Sequence, residues 1–525
     1  MSIRTDARPG TRPGRRDAAR FAACAALALC LMAEPARAQA SAPPPAAASA
    51  LTLAEVIEAA MRRSTGVLLG EQALEARRGE LQSARGGFAP RVGTTLGSTW
   101  SEEPVAPGDA EAVAARTRTA TYGVTAEKRF RTGVALQSTV RGTQQAEGDA
   151  AAPMNSAGVS LRVDVPLMRD RLGRATRAPE EAAGAAVQAE ELVLRHVVAT
   201  GVRDAALAYW QYVAAHRRLE VQRASEARAE RLAAETRALI EGGERPAADL
   251  NQVMATVAGR RVARITAEQG VVDARGRLGR AMGLPAARVA DLPVPEAFVP
   301  APAPFTLDAA ALERLASAAL ERRADLAAAL RDSRAAGILA GAAREELKPR
   351  VDLAVSVGYT GVESGAGAGG LFSPLYPSAP GPNASVELRY QLSPGGAEAR
   401  GRAAQRAALL RQAEIAARDL EEGIRVAVRG RAEALERGIR ALEQAREAEA
   451  LSRTMLENET RKHQSGASTL FEVILAEDAL TGAMLSRVGA ELEYASAIAA
   501  LHFETGAVDG APGPLRELFA APPRP

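Results

Sequence analysis

Arg62-Arg63-Ser64-Thr65-Gly66-Val67, running on to Pro90-Arg91-Val92, aligns without a gap on Glu321-Arg322-Arg323-Ala324-Asp325-Leu326, running on to Pro349-Arg350-Val351. Both copies read as helices halted by proline, which has no N–H to continue the helical ladder. A repeat found early organises the rest of a sequence. Val159-Ser160-Leu161-Arg162-Val163-Asp164-Val165 answers Val386-Glu387-Leu388-Arg389-Tyr390-Gln391-Leu392, each alternating as a half-buried strand does. Glu235-Thr236-Arg237 answers Glu459-Thr460-Arg461, and after each comes a glycine with an acidic residue six positions on, Gly243 to Asp249 and Gly466 to Glu472. Each half is therefore expected to run short helix, medium helix, strands, very long helix, tight loop, shorter helix.

The first long helix is expected from near Ala175 to Glu241, which at 1.5 Å rise per residue reaches roughly 100 Å. No ordinary globular domain houses such a rod. Small and apolar residues recur at heptad-like spacing along it, at Ala199, Val202, Ala206, Tyr209 and Val213. In the second half Leu420, Ile424, Ala427, Ala434, Gly438, Ala441, Ala445 and Ala448 do the same, and Leu435, Ile439 and Leu442 form another stripe. Two stripes suit a helix packed on both sides in the wall of a tube. A filamentous coiled coil uses the same pattern and stays open at this point.

Strand signals are confined to 91–165 and 351–392. The first window holds segments at Val92, Tyr122, Val134 and Val159, the second at Val351 and Val386, with polar or Gly/Pro-rich loops expected over Ser101 to Thr119 and Gly361 to Ala384. Phe130-Arg131-Thr132-Gly133 looks like the turn of a hairpin inserted only in the first half. A membrane barrel made from one chain needs at least about eight strands, more than this chain offers. Three chains would supply about twelve, or about eighteen if the inserted hairpin joins the wall. Two small soluble sheets are the competing reading.

Residues 1–38 read as a secretory signal: an Arg-rich start, an apolar stretch from Phe21 to Met32, and Ala36-Arg37-Ala38 as a cleavage site. Leu27-Ala28-Leu29-Cys30 resembles a lipidation motif, but Leu29 is too large, so simple cleavage is expected. Residues 1–40 carry a net +4 against +3 for the whole chain, leaving the remainder near −1. Nucleic-acid binding gains no support from such a balance. Both cysteines, Cys24 and Cys30, fall in the signal, so no disulfide is expected beyond it. With 47% hydrophobic, 25% charged and only 3% aromatic residues, the chain suits long, closely packed helices. No run of eighteen apolar residues follows the signal, so a membrane span would have to be a closed β-barrel.

No catalytic constellation emerges. His196, His216, His463 and His502 lack metal-ligand spacing, and Gly365-Ala366-Gly367-Ala368-Gly369-Gly370 lacks the strand-to-helix setting of a phosphate loop. No enzyme, cofactor or metal site is expected.

The opening Leu51-Thr52-Leu53-Ala54-Glu55, the helix ending in Phe88-Ala89-Pro90, the strand running into Val165-Pro166-Leu167 and the twofold glycine-to-acid tip motif together resemble the TolC-like outer-membrane efflux family, to about Gly506. The resemblance implies a mainly α, internally duplicated protomer with a trimeric β-barrel in the outer membrane and long hairpins forming a periplasmic α-barrel. It implies a homotrimer set in outer-membrane lipid, partnered by a periplasmic adaptor and an inner-membrane RND or ABC transporter. Carried over by position, the tips that dock the adaptor are Gly242, Gly243, Ser465, Gly466 and Ala467, and the pore constriction falls to Glu472 and Asp249. The family often has a second carboxylate where this chain has Leu475, so Glu477 and Asp478 are candidates to supplement the ring. His463 replaces a common tyrosine and is expected only to pack or face solvent.

The expected organisation is signal 1–38, Pro/Ala-rich spacer 39–50, first repeat 51–292 with strands 91–165 and hairpin 175–283, linker 293–306, second repeat 307–506 with strands 351–392 and hairpin 397–504, and tail 507–525. The alternative function is a periplasmic coiled-coil adaptor or structural interaction protein. An adaptor of that kind has one helical hairpin in a small β domain, whereas this sequence has two.

Overall fold

The computed structural model describes residues 50–105, 113–147, 152–243, 246–296, 308–365 and 381–508. The expected signal and all but the last residue of the spacer, the loop residues 366–370, tip residues 244 and 245, most of the linker, and the tail beyond 508 lie outside them.

Helix α1 (Leu53–Arg63) starts at a capping box, with Thr52 and Glu55 each accepting from the other's backbone N–H. Its Leu53, Val56, Ile57 and Ala60 are buried at helical spacing. Ser64 ends α1 in extended backbone and caps α2 (Thr65–Gly86) through the Val67 N–H. Four strands follow, β1 (Arg91–Val105), β2 (Val113–Arg129), β3 (Ala135–Glu147) and β4 (Met154–Pro166), then a 3-10 turn at Arg171–Gly173. The 68-residue α3 (Arg174–Glu241) and the 34-residue α4 (Ala248–Ala281) form the first hairpin, closed by the short α5 (Ala286–Val289). After the break come α6 (Ala309–Arg322), α7 (Ala324–Glu345), β5 (Arg350–Ser364) and β6 (Pro382–Gln391). The second hairpin is α8 (Ala397–Gln464), again 68 residues, and α9 (Leu470–Glu504). The two 22-residue helices α2 and α7 begin at Thr65 and Ala324, positions the sequence alignment pairs, as do β1 and β5.

The six strands form one antiparallel sheet in chain order, β1-β2-β3-β4-β5-β6. Strands are longer than their alternating segments suggested, and 101–105 and 113–119, expected as loop, are strand. Backbone pairing carries them: Thr99↔Thr119, Trp100↔Arg118 and Ser101↔Thr117 continue the register through mostly polar side chains.

The helices pack side by side in one layer. Beside the sheet the order is α2-α3-α7-α8, and further along it is α4-α3-α9-α8. Two clusters fasten the middle. In one, α1 lies on α3, where Val202, Ala206, Tyr209 and Val213 are buried with Leu278 of α4 and Ala499 of α9. The Tyr209 hydroxyl donates to the Leu51 carbonyl at 3.1 Å and that of Tyr212 to Pro293 at 3.3 Å. In the other, Leu315, Ala316 and Ala319 of α6 cover Ile424 and Val428 of α8. Burying each such Leu or Ile side chain stabilises by about 2 kcal/mol. The first residues of the expected linker are tied down, since Leu51 bridges to Pro295 and exchanges hydrogen bonds with Val294 and Glu296.

Candidate functional site

Three places carry features that packing alone does not require: the two faces of the sheet, the hairpin tips, and the ion-paired junction behind the second tip.

Residues paired across a ladder share a face, so each row of partners samples one side of the sheet. The row Val92, Ala126, Ser138, Leu161, Val357, Ala384 crosses all six strands and is almost wholly apolar. The next, Gly93, Thr125, Thr139, Ser160, Gly358, Asn383, is small or polar throughout. Beyond it Thr94, Val124, Val140, Val159, Tyr359 and Pro382 return to the apolar face. Leu96 is 80% and Val386 74% exposed, so within one chain this face is uncovered. The other face is knitted by polar contacts: Gln137 donates to Glu127 at 3.3 Å, Ser356 meets Ser385 at 2.7 Å, and Arg162 reaches Asp164 at 3.0 Å and Glu387 at 3.5 Å. One face suits hydrocarbon and the other water. Strands β1 and β6 each have one unpaired edge.

At the first tip, α3 ends on Gly242, and Gly243 follows at φ +76°. Their N–H groups return to the Ala238 and Ile240 carbonyls, both at 3.0 Å. Asp249 sits in the first turn of α4, its N–H bonded to the Pro246 carbonyl at 3.1 Å. At the second tip, Ser465 caps α8 and Gly466 has φ +77°. The Gly466 N–H goes to His463 O at 3.0 Å and the Ala467 N–H to Lys462 O at 2.8 Å, the pair of bonds by which a left-handed glycine closes a helix. His463 Nδ1 lies 3.0 Å from the Ser468 carbonyl, so this side chain braces the turn beyond the packing expected of it.

Glu472 closes a capping box at the start of α9. Its Oε2 accepts from the Thr469 N–H at 2.8 Å, Ser468 Oγ at 2.9 Å and Thr469 Oγ1 at 3.1 Å. These bonds, the backbone one foremost, hold its carboxyl below the usual carboxylate range. Phe471 and Leu475 beside it are exposed, which gives the tip an apolar flank.

Glu477 and Asp478, the candidates to supplement the ring, are each paired with an arginine of the first half. Glu477 Oε2 lies 2.7 Å from Arg228 Nε of α3, and Asp478 pairs with Arg260 of α4. Arg228 also donates to Thr481 Oγ1 at 3.1 Å, and Ser225 meets Thr481 at 3.1 Å. Burial pushes the Arg260 pKa down, against the pull of Glu477 and with Arg228 adding to the fall. Both carboxylates are neutralised between helices, by partners more than two hundred residues away in sequence. The alternation of the strands signalled the sheet faces, whereas nothing local signals these ion pairs.

No group of acidic, histidine or cysteine residues able to hold a metal occurs among the described residues, and no described helix is long and apolar enough to cross a membrane.

Residues 315–507 match the family described as outer membrane efflux protein. No curated protein sequence matches the chain. Among solved structures the fold is similar to the outer-membrane channel OprN, at 18% identity over 87% of this chain and 91% of that one, with a TM-score of 0.66. It is also similar to the Campylobacter jejuni CmeC outer membrane channel, at 13% identity over 86% and 85% of the two chains, with a TM-score of 0.65. The Neisseria gonorrhoeae MtrE outer membrane channel in its open state gives 18% identity over 86% and 88%, with a TM-score of 0.62. The match to the outer membrane efflux protein family thus lies in the second half of the chain, and most of the chain is similar in fold to outer-membrane channels.

Proposed function

We propose that three copies of this chain close into a tube that conducts solutes passively from the periplasm to the exterior. The unpaired edge of β6 meets β1 of the next copy, so that no edge remains open. The apolar rows then face outer-membrane lipid and the polar rows line the lumen, while the single layer of helices continues the wall into the periplasm. The tips at Gly242, Gly243, Ser465, Gly466 and Ala467 dock a periplasmic adaptor coupled to an inner-membrane RND or ABC transporter. Glu472 and Asp249 contribute the constriction, and the two halves descend from one duplicated unit spanning 51–292 and 307–506.

The observation that carries this reading is the continuous separation of apolar and polar rows across a sheet with two open edges. A periplasmic coiled-coil adaptor has no use for an exposed apolar sheet face, which removes the support for that alternative. Conductance of the purified chain in planar bilayers, with mass determination in detergent, tests the proposal. Trimers forming cation-preferring channels are expected, with the preference reduced by Glu472→Gln. Soluble, non-conducting protein would overturn it.

A further inference from the structure

We propose that the hairpin β2–β3 is a stretch of barrel wall rather than a surface loop, so that the closed tube carries about eighteen strands and is about half again as wide in the membrane as a twelve-stranded one. This rests on the reading above that copies of the chain close edge to edge in a membrane.

The four strands joined directly to helices are β1 after α2, β4 before α3, β5 after α7 and β6 before α8, and they stand in the sheet in the order of those helices. The hairpin is interposed between β1 and β4 with no helix of its own. It nevertheless shares every feature of the wall. At 17 and 13 residues its strands exceed the roughly 9–11 needed to cross a bilayer. The apolar and polar rows continue through it, with Ser138 its one polar member in the two apolar rows, Val124 and Val140 paired on one face and Thr125 and Thr139 on the other. The Tyr122 ring lies over Gly142, where any Cβ would strike it, a device that covers a glycine in a sheet.

The turn of the hairpin is also built in. Arg131 grips Glu180 of α3 with two bonds of 2.7 and 2.8 Å, and its guanidinium sits 4.9 Å from the centre of the Phe88 ring at the end of α2. Gly173, at φ +70°, lets the chain pass the Arg131 carbonyl, which a Cβ would hit. A loose surface hairpin needs no such seat.

With strands ~4.8 Å apart and tilted by ~40°, eighteen strands give a backbone diameter of ~36 Å and twelve give ~24 Å. About twelve helices spaced ~10 Å apart have a circumference of ~120 Å, against ~113 Å for the wider barrel and ~75 Å for the narrower. The wider barrel therefore sits on the helical ring almost without a taper. The membrane section is then an open aqueous vestibule lined by hydroxyl and amide side chains and by charged ones such as Glu127, Arg162 and Glu387, suited to bulky hydrophilic or amphiphilic solutes, with any narrowing left to the helical end.

Spin labels placed singly at Val124→Cys, Val140→Cys, Thr125→Cys and Thr139→Cys test the wall, with Val159→Cys and Val357→Cys as controls on β4 and β5. The full chain carries Cys24→Ser and Cys30→Ser and is reconstituted in liposomes, and collisions are measured with oxygen and with a water-soluble nickel chelate. The expected result is oxygen-dominated collision at 124 and 140, equal to 159 and 357, and nickel-dominated collision at 125 and 139. Lipid exposure at 159 and 357 with water exposure at 124 and 140 overturns the eighteen-stranded wall and leaves the membrane barrel standing. Nickel access at all six sites overturns the membrane barrel and this proposal together. In conducting channels, neutral polymers offered from the strand side should enter up to a diameter of about 20 Å, and a cut-off near half that value overturns the width.

Discussion

Replacing Arg323 with methionine removes the cation that ties the α6–α7 corner to the end of α9. Arg323 is 9% exposed, and the side chains of its partners Asp325 and Glu504 are 15% and 14% exposed, so water screens little of the interaction. Two bonds, of 3.0 and 2.7 Å, reach the Asp325 carboxylate, a third reaches Glu504, and the Phe503 ring lies 5.5 Å from the guanidinium. Deleting one partner of a buried pair costs about 3–5 kcal/mol, because the other charge is left uncompensated. Burial alone would raise the Asp325 pKa, yet the bonds and charge of Arg323 hold it below the ordinary carboxylate range. A depressed folded pKa contributes stability that is complete above the unfolded value of about 3.9 and fades as pH falls through the folded one. In the variant only the nearby His196 and the Leu326 N–H still oppose burial, so the pKa rises and that stabilising contribution is lost. His196, 3.8 Å from Asp325 and now held below its usual pKa chiefly by burial, then protonates more readily and shifts the balance the same way. The urea midpoint for loss of helical circular dichroism, measured on the full chain in detergent, should fall most at about pH 7 and recover in part by about pH 5. A stability, taken as midpoint times denaturant slope, within about 0.5 kcal/mol of the parent, or a deficit independent of pH, would refute the assignment.

Gly466→Ala forces a side chain into left-handed backbone and should cost about 1 kcal/mol, seen as faster hydrogen exchange confined to the second tip. Thr469→Ala removes the cap of α9 at a cost of about 1 kcal/mol and frees Glu472 from one hydroxyl. The Glu472 pKa then moves back toward the ordinary value, so cation preference, full above that pKa, should be lost at a higher pH than in the parent, as reversal potentials would report. Gly173→Ala collides with the Arg131 carbonyl and should reduce the yield of detergent-stable oligomer several-fold, while Gly184→Ala, with open space around it, leaves the yield unchanged.

What the sequence made legible is what short-range chemistry encodes. The start of α3 lies one residue from its expected position and its end at Glu241, because a helix of that length is fixed by periodicity and by Gly242-Gly243. The alternation at Val159 and Val386 marked faces that the sheet register assembles into rows. Strand length was not legible: Thr117 and Thr119 read as loop because they alternate with Arg116 and Arg118 and give no apolar signal, and only pairing with Ser101 and Thr99 makes them strand. Neither was the neutralisation of Glu477 and Asp478, since Arg228 and Arg260 reach them only after two helices of the first half pack on one of the second. The seat of Arg131 on Glu180 and Phe88 escaped for the same reason: its members stand on three elements.

The open edges at β1 and β6 bear on biogenesis. A sheet that is apolar on one side and unpaired at both ends has no stable resting place as a solitary chain, in water or in lipid. If copies close edge to edge as proposed, insertion and association are expected to proceed together rather than as separate steps. A subunit damaged only at its β6 edge would still offer a sound β1 edge to its neighbour, so it would enter mixed rings and spoil them. Such an allele should act dominantly over the intact copy, whereas one that abolishes the fold outright should be recessive.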